Sequence, residues 1–399
     1  MNLPLSGIRV LDLSRLLPGP YASLILADLG AEVIKVEDTQ GGDYIRAMPP
    51  HVDGVGAWFA SLNRNKRSVA LDFKHAEGRA ALLDLAAGAD VVLESFRPGV
   101  LDKLGAGYEV MRARNPKLVY CAITGYGYDS PYRERAGHDL NYLAIAGVLG
   151  VNGSQRDGSP QLSGAQMADI AGGSLFAVIS MLAALRVAER TGQGRFIDAA
   201  MTDGAMSLIT MVLGADLAEL RTGERTSLPP APGTMQLNGR YLCYRIYEAA
   251  DGYLSLGALE PKFWANFCQA IERPDLLSAQ FDEAVEGNPN LVEVSEIVRT
   301  RTRAQWSELN ARFDFCGEPI LAFHEVPDNE HIRHRQLIFD LPVGRSVLPQ
   351  VAVPVRFEGA TRTRHVQPPL HGEATREMLG SAGWSEDRIA AALEQGAIR

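Results

Sequence analysis

The segment IRVLDLSRLLPGPYASLILADLGAEVIKVE (residues 8–37) decides the fold class, because it contains strand, helix and strand signals in immediate succession. Its two ends are short apolar runs rich in β-branched residues, and its middle has apolar residues at helical spacing. The alternation continues, with predicted strands at 67–73, 90–96 and 117–127 and a predicted helix at 76–89. Near-continuous apolar strands separated by helices predict an α/β protein whose parallel sheet is covered on both faces.

A segment with the composition of a linker divides the chain into two predicted domains. The segment RTGERTSLPPAPGTMQLNG is rich in Pro, Gly and Thr, which favours a linker. Beyond it, two strands around an Asp251-Gly252 turn and a helix that begins at Pro261 predict a smaller α+β domain. We place the boundaries at 1–215 for the large α/β domain, 216–237 for the linker, 238–330 for the small domain and 331–399 for a C-terminal segment.

Composition excludes several classes of protein. The 399 residues carry a net charge of −9, which opposes broad nucleic-acid binding. The four cysteines form no CxxC pair, which favours buried thiols in a reducing compartment. The N-terminus lacks a basic region followed by a long apolar one, and the longest apolar stretch ends in charges before it is long enough to span a bilayer. We expect a cytoplasmic protein without a membrane span.

Ionisable residues stand at three predicted helix starts. His138 and Asp139 precede an apolar run, and Asp169 opens the segment DIAGGSLFAVISMLAAL. Glu260 stands directly before the helix that begins at Pro261. A helix N-terminus has unpaired N–H groups and a partial positive charge, which favour anions and a neutral histidine. The same N–H groups suit a developing oxyanion, so the pattern predicts acid–base chemistry.

A structural interpretation of these residues stays open. Aspartate is a preferred N-cap, so Asp139 and Asp169 could serve as caps alone. A histidine beside a loop is commonly just exposed or hydrogen-bonded, so His138 could simply brace its loop. The combination of the three sites is suggestive but does not identify a function.

The chain resembles the family III CoA-transferase superfamily, and especially its α-methylacyl-CoA racemase branch. The resemblance covers about residues 3 to 335 in unbroken order and is carried by residues 4–37, SFRPGVLDKLG, ITGYGYDSPYRERAGHDLNYLAIAGVLG, ADIAGG, RTGQGRFIDAAMTDG and GALEPKFW. It implies a large domain with a Rossmann-like sheet, a small domain, and a homodimer of two interlocked chains. It also implies that the C-terminal residues return to the large domain.

The resemblance assigns roles to particular residues. The histidine of the racemase motif GHD-x-NY falls on His138, the glutamate of GA-x-EP-x-F falls on Glu260, and the aspartate of [AG]D-x-[AG]GG falls on Asp169. The backbone N–H of Asp139 is implied to lie near the thioester oxygen. The family's nucleotide site is implied to include Phe96, Arg97 and Leu104.

The phosphates of an acyl-CoA thioester require cationic contacts. Candidate side chains at the margins of the predicted sheet are those of Arg64, Lys66, Arg67 and Arg97. The alternative is a solvated basic face, and SFRPG is also explained as a plain turn. A metal site is not expected, because His331 and His334 lack a set of cysteines or carboxylates at ligand spacing.

The implied reaction inverts the carbon next to a thioester carbonyl. Two groups on opposite faces of a planar enolate, one accepting and one donating a proton, achieve this without a metal or an organic cofactor. His138 and Asp169 would exchange these roles, while Glu260 would orient the imidazole and stabilise its charged form. Backbone N–H groups would hold the enolate oxygen.

Two other functions compete with racemisation. In the CoA-transferases of the superfamily, the aspartate that matches Asp169 is a nucleophile that forms covalent intermediates. The element QLSGAQMAD is closer to transferases, whereas the absence of a GGGG-type flap and the presence of His138 with Glu260 favour a racemase. A non-catalytic CoA-binding protein is the third possibility, but it would have no need of all three acid–base residues.

Overall fold

The computed structural model describes residues 3–153, 159–225, 227–358 and 365–399. The chain forms two compact units: a large unit of Met1–Ala146, Gly164–Leu208 and His331–Arg399, and a small unit of Gly147–Ser163 and Ile209–Glu330. The predicted boundaries differ from this division in three places, the first being that the predicted linker 216–237 is part of the small unit. The large unit ends its middle segment at Leu208 rather than at 215, and residues 147–163 belong to the small unit.

The strands are numbered along the described chain: β1 (Arg9–Asp12), β2 (Glu32–Glu37), β3 (His51–Val52), β4 (Val55–Gly56), β5 (Lys66–Ala70), β6 (Val91–Glu94), β7 (Val119–Thr124), β8 (Phe196–Ala200), β9 (Tyr244–Ala249), β10 (Gly252–Gly257), β11 (Gly317–Pro319), β12 (Ile338–Val343) and β13 (Ser346–Val351).

The α-helices are α1 (Pro18–Asp28), α2 (Ala57–Asn63), α3 (Ala76–Ala87), α4 (Val100–Lys103), α5 (Tyr108–Arg114), α6 (Asp139–Ile145), α7 (Leu149–Asn152), α8 (Phe176–Thr191), α9 (Met201–Leu208), α10 (Thr210–Thr222), α11 (Pro261–Ala270), α12 (Pro289–Arg299), α13 (Arg303–Phe313), α14 (Glu330–Arg335), α15 (Thr375–Ser381) and α16 (Glu386–Glu394). Short 3₁₀ turns occupy Tyr44–Ala47, Pro274–Ala279 and Val326–Asp328, and a π-helix occupies Met167–Leu175.

The large unit is organised by a six-stranded parallel sheet in the order β5-β2-β1-β6-β7-β8. Counted along the chain, this is the third–second–first–fourth–fifth–sixth order of Rossmann-type sheets, which reverses direction between β1 and β6. The predicted α/β class and its parallel sheet are confirmed. The edge strand β8 was not predicted, because its sequence FIDAA leads directly into a helical pattern.

Burial of the central strands explains the near-continuous apolar sequence. Every residue of β6 and β7 is buried, and these strands contribute to a core that α3 covers. The C-terminal segment supplies part of that core through Met378, Leu379, Trp384 and Ile389. The residues after 331 therefore complete the large unit.

The helical run Met167–Thr191 is long and apolar enough, by length and composition alone, to cross a membrane. Core helices of soluble proteins also meet this criterion, and 44% of its most apolar portion is buried within the protein. The prediction that the chain lacks a membrane span stays a prediction.

The small unit contains an antiparallel sheet in the order β11-β10-β9. The predicted hairpin is present, with Ala250 and Asp251 as its two-residue turn, one position earlier than expected. The helix α11 begins at Pro261 as predicted, and the aromatic side chains of Trp264, Phe267 and Trp306 form the centre of this unit's core.

Candidate active site

A cavity of about 550 Å³ lies in the large unit, where β1, β6 and β7 end. Ligands of open parallel sheets bind at the carboxyl ends of the strands, next to the position where the strand order reverses. The described residues that line the cavity are Arg15, Leu16, Pro18, Tyr44, Ser95, Phe96, Arg97, Pro98, Ile123, Thr124, Gly125, Tyr126, Gly127, Arg133, Arg135, Ala136, Gly137, His138, Asn141, Tyr142, Asp169 and Met201.

His138 lines this cavity and directly precedes α6. The backbone N–H of His138 donates to Oδ1 of Asn141 (3.0 Å), which fixes the entry of the chain into the helix. The preceding Gly137 is required by the packing, because a Cβ there would lie 2.7 Å from the ring of Tyr142. The hydroxyl of Tyr142 donates to the carbonyl of Gly137 (2.6 Å). These contacts give the GHD-x-NY motif a local structural basis.

Asp169 reaches the cavity from the π-helical segment Met167–Leu175. Such wide turns are rare and are frequently found at functional sites. The glycines of the motif allow α9 to approach closely, since a Cβ on Gly172 would lie 2.7 Å from the carbonyl oxygen of Met201. On the other side, Oγ of Ser174 lies 2.6 Å from the carbonyl oxygen of Pro18 at the start of α1. The segment that carries Asp169 is therefore packed against helices on two sides.

The environment of Asp169 changes its acid–base behaviour. The residue is 8% exposed, and burial, with a contribution from the negative charge of Asp139, raises its pKa from the ordinary 3.8 to about 7. Oδ1 of Asp139 accepts hydrogen bonds from the backbone N–H groups of Ala168 (2.7 Å) and Asp169 (2.9 Å). A carboxyl with this pKa is present in both protonation states at neutral pH, so it can accept or donate a proton.

The structure places His138 and Asp169 on the wall of the same cavity, although they are remote in sequence. Glu260 belongs to the small unit, where it is exposed and directly precedes α11. Its carbonyl accepts the N–H of Phe263 (3.0 Å). The expected support of His138 by Glu260 stays a prediction.

The residues assigned to the nucleotide site by resemblance occupy different positions. Phe96 and Arg97 line the cavity, on the loop that follows β6. Leu104 follows α4 and packs, half-buried, against the core of the large unit. Leu104 is not among the described residues that line the cavity, and the nucleotide-binding role of all three residues stays a prediction.

The basic residues around β5 form ion pairs with acidic side chains of the same chain. Nη2 of Arg64 lies 2.7 Å from Oδ2 of Asp28, and both side chains are buried. Lys66 is buried beside Asp12 at 3.3 Å, and burial lowers the pKa of Lys66.

Arg67 is half-buried and pairs with Glu377 in α15. None of the three basic residues appears among the described residues that line the cavity. Arg64 and Lys66 are thus engaged in internal ion pairs, and the phosphate contacts expected of Arg64, Lys66 and Arg67 stay a prediction.

Sequence reasoning missed several cationic and aromatic side chains of the cavity. Arg15 follows β1, and Arg133 and Arg135 stand just before the GHD motif. The aromatic rings of Tyr44 and Tyr126 also line the wall. The clustering of basic residues in YRERAGHD was the one signal that could have identified Arg133 and Arg135.

No group of three or more His, Cys, Asp or Glu side chains within the described ranges is arranged to hold a metal ion. The expectation that the chemistry uses neither a metal nor an organic cofactor stays a prediction.

Comparison with known proteins identifies the family. The family model described as CoA-transferase family III matches residues 5–375. The chain belongs to CoA-transferase family III. The chain is similar to mouse succinyl-CoA:glutarate CoA-transferase, with 34% identity over 385 residues that cover 94% of this chain and 86% of that protein. Human alpha-methylacyl-CoA racemase is 33% identical over 391 residues, covering 97% of this chain and 95% of that protein.

A solved structure supports the same assignment. The crystal structure of a CAIB/BAIF family protein from Brucella suis superimposes with a TM-score of 0.81 at 30% identity, covering 96% of this family III chain and 100% of that chain. The chain is thus an enzyme of the CoA-transferase and racemase superfamily.

Proposed function

We propose that this enzyme is an acyl-CoA racemase or epimerase, which inverts the α-carbon of a 2-methylacyl-CoA thioester. The observation that carries the proposal is that His138 and Asp169 line one cavity, with the pKa of Asp169 raised to about 7. A carboxyl with this pKa exchanges a proton near neutral pH, and the imidazole is the side chain that most often transfers protons in enzymes. This is what a reversible two-base reaction requires.

The reaction consists of two proton transfers. With one stereoisomer, neutral His138 accepts the α-proton, the C–H bonding electrons form an enolate, and protonated Asp169 returns a proton to the opposite face. With the other stereoisomer, ionised Asp169 accepts the proton and the His138 imidazolium donates one. The backbone N–H of Asp139 stabilises the enolate oxygen, and Glu260 supports the charged imidazole.

The proposed substrate also accounts for the basic residues of the cavity. Arg97 is exposed on the loop after β6 and is available to a phosphate, and Phe96 provides an apolar wall for the nucleotide. The protein would act in the cytoplasm as a homodimer of interlocked chains. Branched fatty acyl, bile-acid side-chain and arylpropionyl thioesters are the acyl groups to test.

CoA transfer between carboxylic acids is the second candidate, and similarity to a CoA-transferase at 34% identity favours it. In that reaction the Asp169 carboxylate attacks the thioester carbonyl, the C–S bond breaks, and the CoA thiolate leaves an acyl-enzyme anhydride, so the carboxyl must be ionised. A pKa of about 7 leaves it roughly half protonated at neutral pH, which suits proton transfer better than nucleophilic attack.

Proton NMR in D2O distinguishes the two reactions. Each stereoisomer of a panel of 2-methylacyl-CoA thioesters is incubated with the enzyme in the absence of any free carboxylic acid. A racemase replaces the α-proton by deuterium and produces the opposite stereoisomer. If α-exchange is absent and CoA moves only when an acceptor acid is added, the proposal is wrong and the transferase is supported.

A further inference from the structure

One side chain connects the two segments that carry the proton-transfer groups. Asp139 follows His138 in the chain, and its Oδ1 accepts the backbone N–H groups of Ala168 and Asp169 at 2.7 and 2.9 Å. These N–H groups belong to the first turn of the π-helix, where no helical carbonyl is available to accept them. Gln166, at the capping position of that segment, makes no side-chain hydrogen bond to it. The cap is instead supplied by a residue 29 positions upstream of Ala168.

We propose that the Asp139 carboxylate is a positioning residue that holds Asp169 at a fixed separation from His138 and places a negative charge beside it. This inference rests on the proposed two-base function. It is distinct from the oxyanion role implied for the Asp139 backbone N–H, because a side-chain substitution leaves that N–H in place.

The geometric part of the proposal follows from the covalent bonds and hydrogen bonds that link the two segments. His138 and Asp139 share a peptide bond, and Asp139 is hydrogen-bonded to the backbone of Asp169 itself. Movement of the His138 loop away from the π-helix would break two hydrogen bonds to a charged acceptor, which are roughly twice as strong as neutral ones. A small misplacement of either proton-transfer group would lower the rate strongly, because proton transfer depends steeply on geometry.

The electrostatic part depends on which charges face Asp169. Asp139 and Tyr142 on α6 interact electrostatically with Asp169, and Arg97 and His138 line the same cavity. Asp203 and Asp198 lie on α9 and β8, two elements that pack against the π-helical segment. Among these, Asp139 is the neighbour whose charge raises the pKa of Asp169, in the same direction as burial. Removing that charge lowers the pKa of Asp169 and makes it a weaker proton acceptor.

Three variants separate geometry from charge. Asp139→Asn keeps an Oδ1 acceptor for both N–H groups but removes the charge, whereas Asp139→Ala removes both. Asp203→Asn is the matched control, since it removes a carboxylate from neighbouring α9 that does not line the cavity. The pH dependence of kcat and KM is measured for α-exchange from each stereoisomer, with folding checked by circular dichroism and gel filtration.

We expect Asp139→Ala to lower kcat at least about tenfold with a smaller change in KM, and Asp139→Asn to recover most of that loss. In Asp139→Asn the pH midpoint assigned to Asp169 moves to lower pH, because the neighbouring negative charge that helps to raise its pKa is removed. Asp203→Asn retains the wild-type profile. If Asp139→Ala does not fold, the profile of Asp139→Asn still decides the electrostatic part, and Asp139→Ser, whose oxygen is one bond closer to the backbone, replaces Asp139→Ala in the test of the geometric part.

A wild-type pH profile in Asp139→Asn overturns the electrostatic part, and a wild-type kcat in folded Asp139→Ala overturns the geometric part. Failure of the proposed function is recognised separately, by the absence of α-exchange in the wild-type enzyme. In that case, carbon NMR of ¹³C-labelled aspartate still tests the proposal, because the pKa of Asp169 must differ between the wild type and Asp139→Asn.

Discussion

The two segments that carry the proposed proton-transfer groups differ in burial and support. His138 is exposed at the start of a seven-residue helix, and its loop is held by hydrogen bonds to Asn141 and from Tyr142. Asp169 is 8% exposed and stands at the start of a 25-residue helical run packed between α1 and α9. Burial of the carboxyl raises its pKa, so that Asp169 can both accept and donate a proton near neutral pH.

The basic residues of the large unit also differ in burial. Arg97 is exposed on the cavity wall, whereas Arg64 and Lys66 are buried in ion pairs with Asp28 and Asp12. A basic residue near the end of a strand is therefore not in itself an anion site. A buried ion pair makes such a side chain inaccessible to a ligand, whereas Arg97 stays accessible at the cavity.

Replacing the buried carboxyl should have the largest effect. Asp169→Asn preserves shape but cannot exchange a proton, so inversion should slow by about 10³- to 10⁴-fold in both directions. Chiral chromatography of the acyl products measures the rate. Calorimetric titration with CoA serves as the control and should be unchanged, since the residues proposed to bind the nucleotide, Phe96 and Arg97, lie elsewhere on the cavity wall. Inversion at the wild-type rate would contradict the role of Asp169.

Replacing the exposed His138 should lower the rate of α-proton exchange far more for one stereoisomer than for the other. His138→Ala should lower α-proton exchange by about 10²- to 10³-fold from the stereoisomer whose proton His138 accepts, and much less from the other. Asp169→Asn should show the opposite bias. Deuterium incorporation into each stereoisomer measures both. The same bias in the two variants would mean that the residues do not face opposite sides of the carbon.

The two arginines should separate stability from binding. Arg64→Ala leaves Asp28 buried without its cation, so the free energy of unfolding should fall by about 3–5 kcal/mol, measured with denaturant. Arg97→Ala should leave stability within about 0.5 kcal/mol, because the side chain is exposed. Its KM for the thioester should instead rise about tenfold, the loss of one charge-assisted hydrogen bond. The opposite pattern would reverse the assignment of the two residues.

The rates of the two directions of the reaction should change with pH in opposite senses, each by a few-fold. Where ionised Asp169 accepts the proton, kcat/KM should rise with pH through about 7, because the raised pKa shifts ionisation of the carboxyl to higher pH. Where protonated Asp169 donates, the rate should fall over the same range. Rates from each stereoisomer between pH 5 and 9, at constant ionic strength, test this. An inflection near pH 4 would indicate a carboxyl with its ordinary pKa.

Much of the fold could be predicted because its signals are local. The strand–helix–strand pattern of residues 8–37 depends on periodicity alone, and the helix start at Pro261 depends on one residue type. β8 was missed because its five residues precede a helix whose pattern extends back over them. The π-helical turn at Met167–Leu175 was predicted as ordinary helix, since its sequence has helical spacing.

The site could be predicted only in part. The proximity of His138 and Asp169 in one cavity came from resemblance to a family, because residues so far apart in sequence carry no local signal of contact. The bonds from Asp139 to the π-helix depend on how α6 packs, and burial distinguishes Lys66 from Arg97 although both stand at strand margins. Packing information of this kind appears only in the folded chain.

A crystal structure of Asp169→Asn with a bound 2-methylacyl-CoA thioester tests the central claim most directly. We predict that the α-carbon lies between a ring nitrogen of His138 and the side-chain amide oxygen introduced at position 169, with both atoms within about 3–3.5 Å and on opposite faces. An α-carbon that contacts only one of these side chains, or a carbonyl carbon directed at residue 169 for nucleophilic attack, would contradict the racemase.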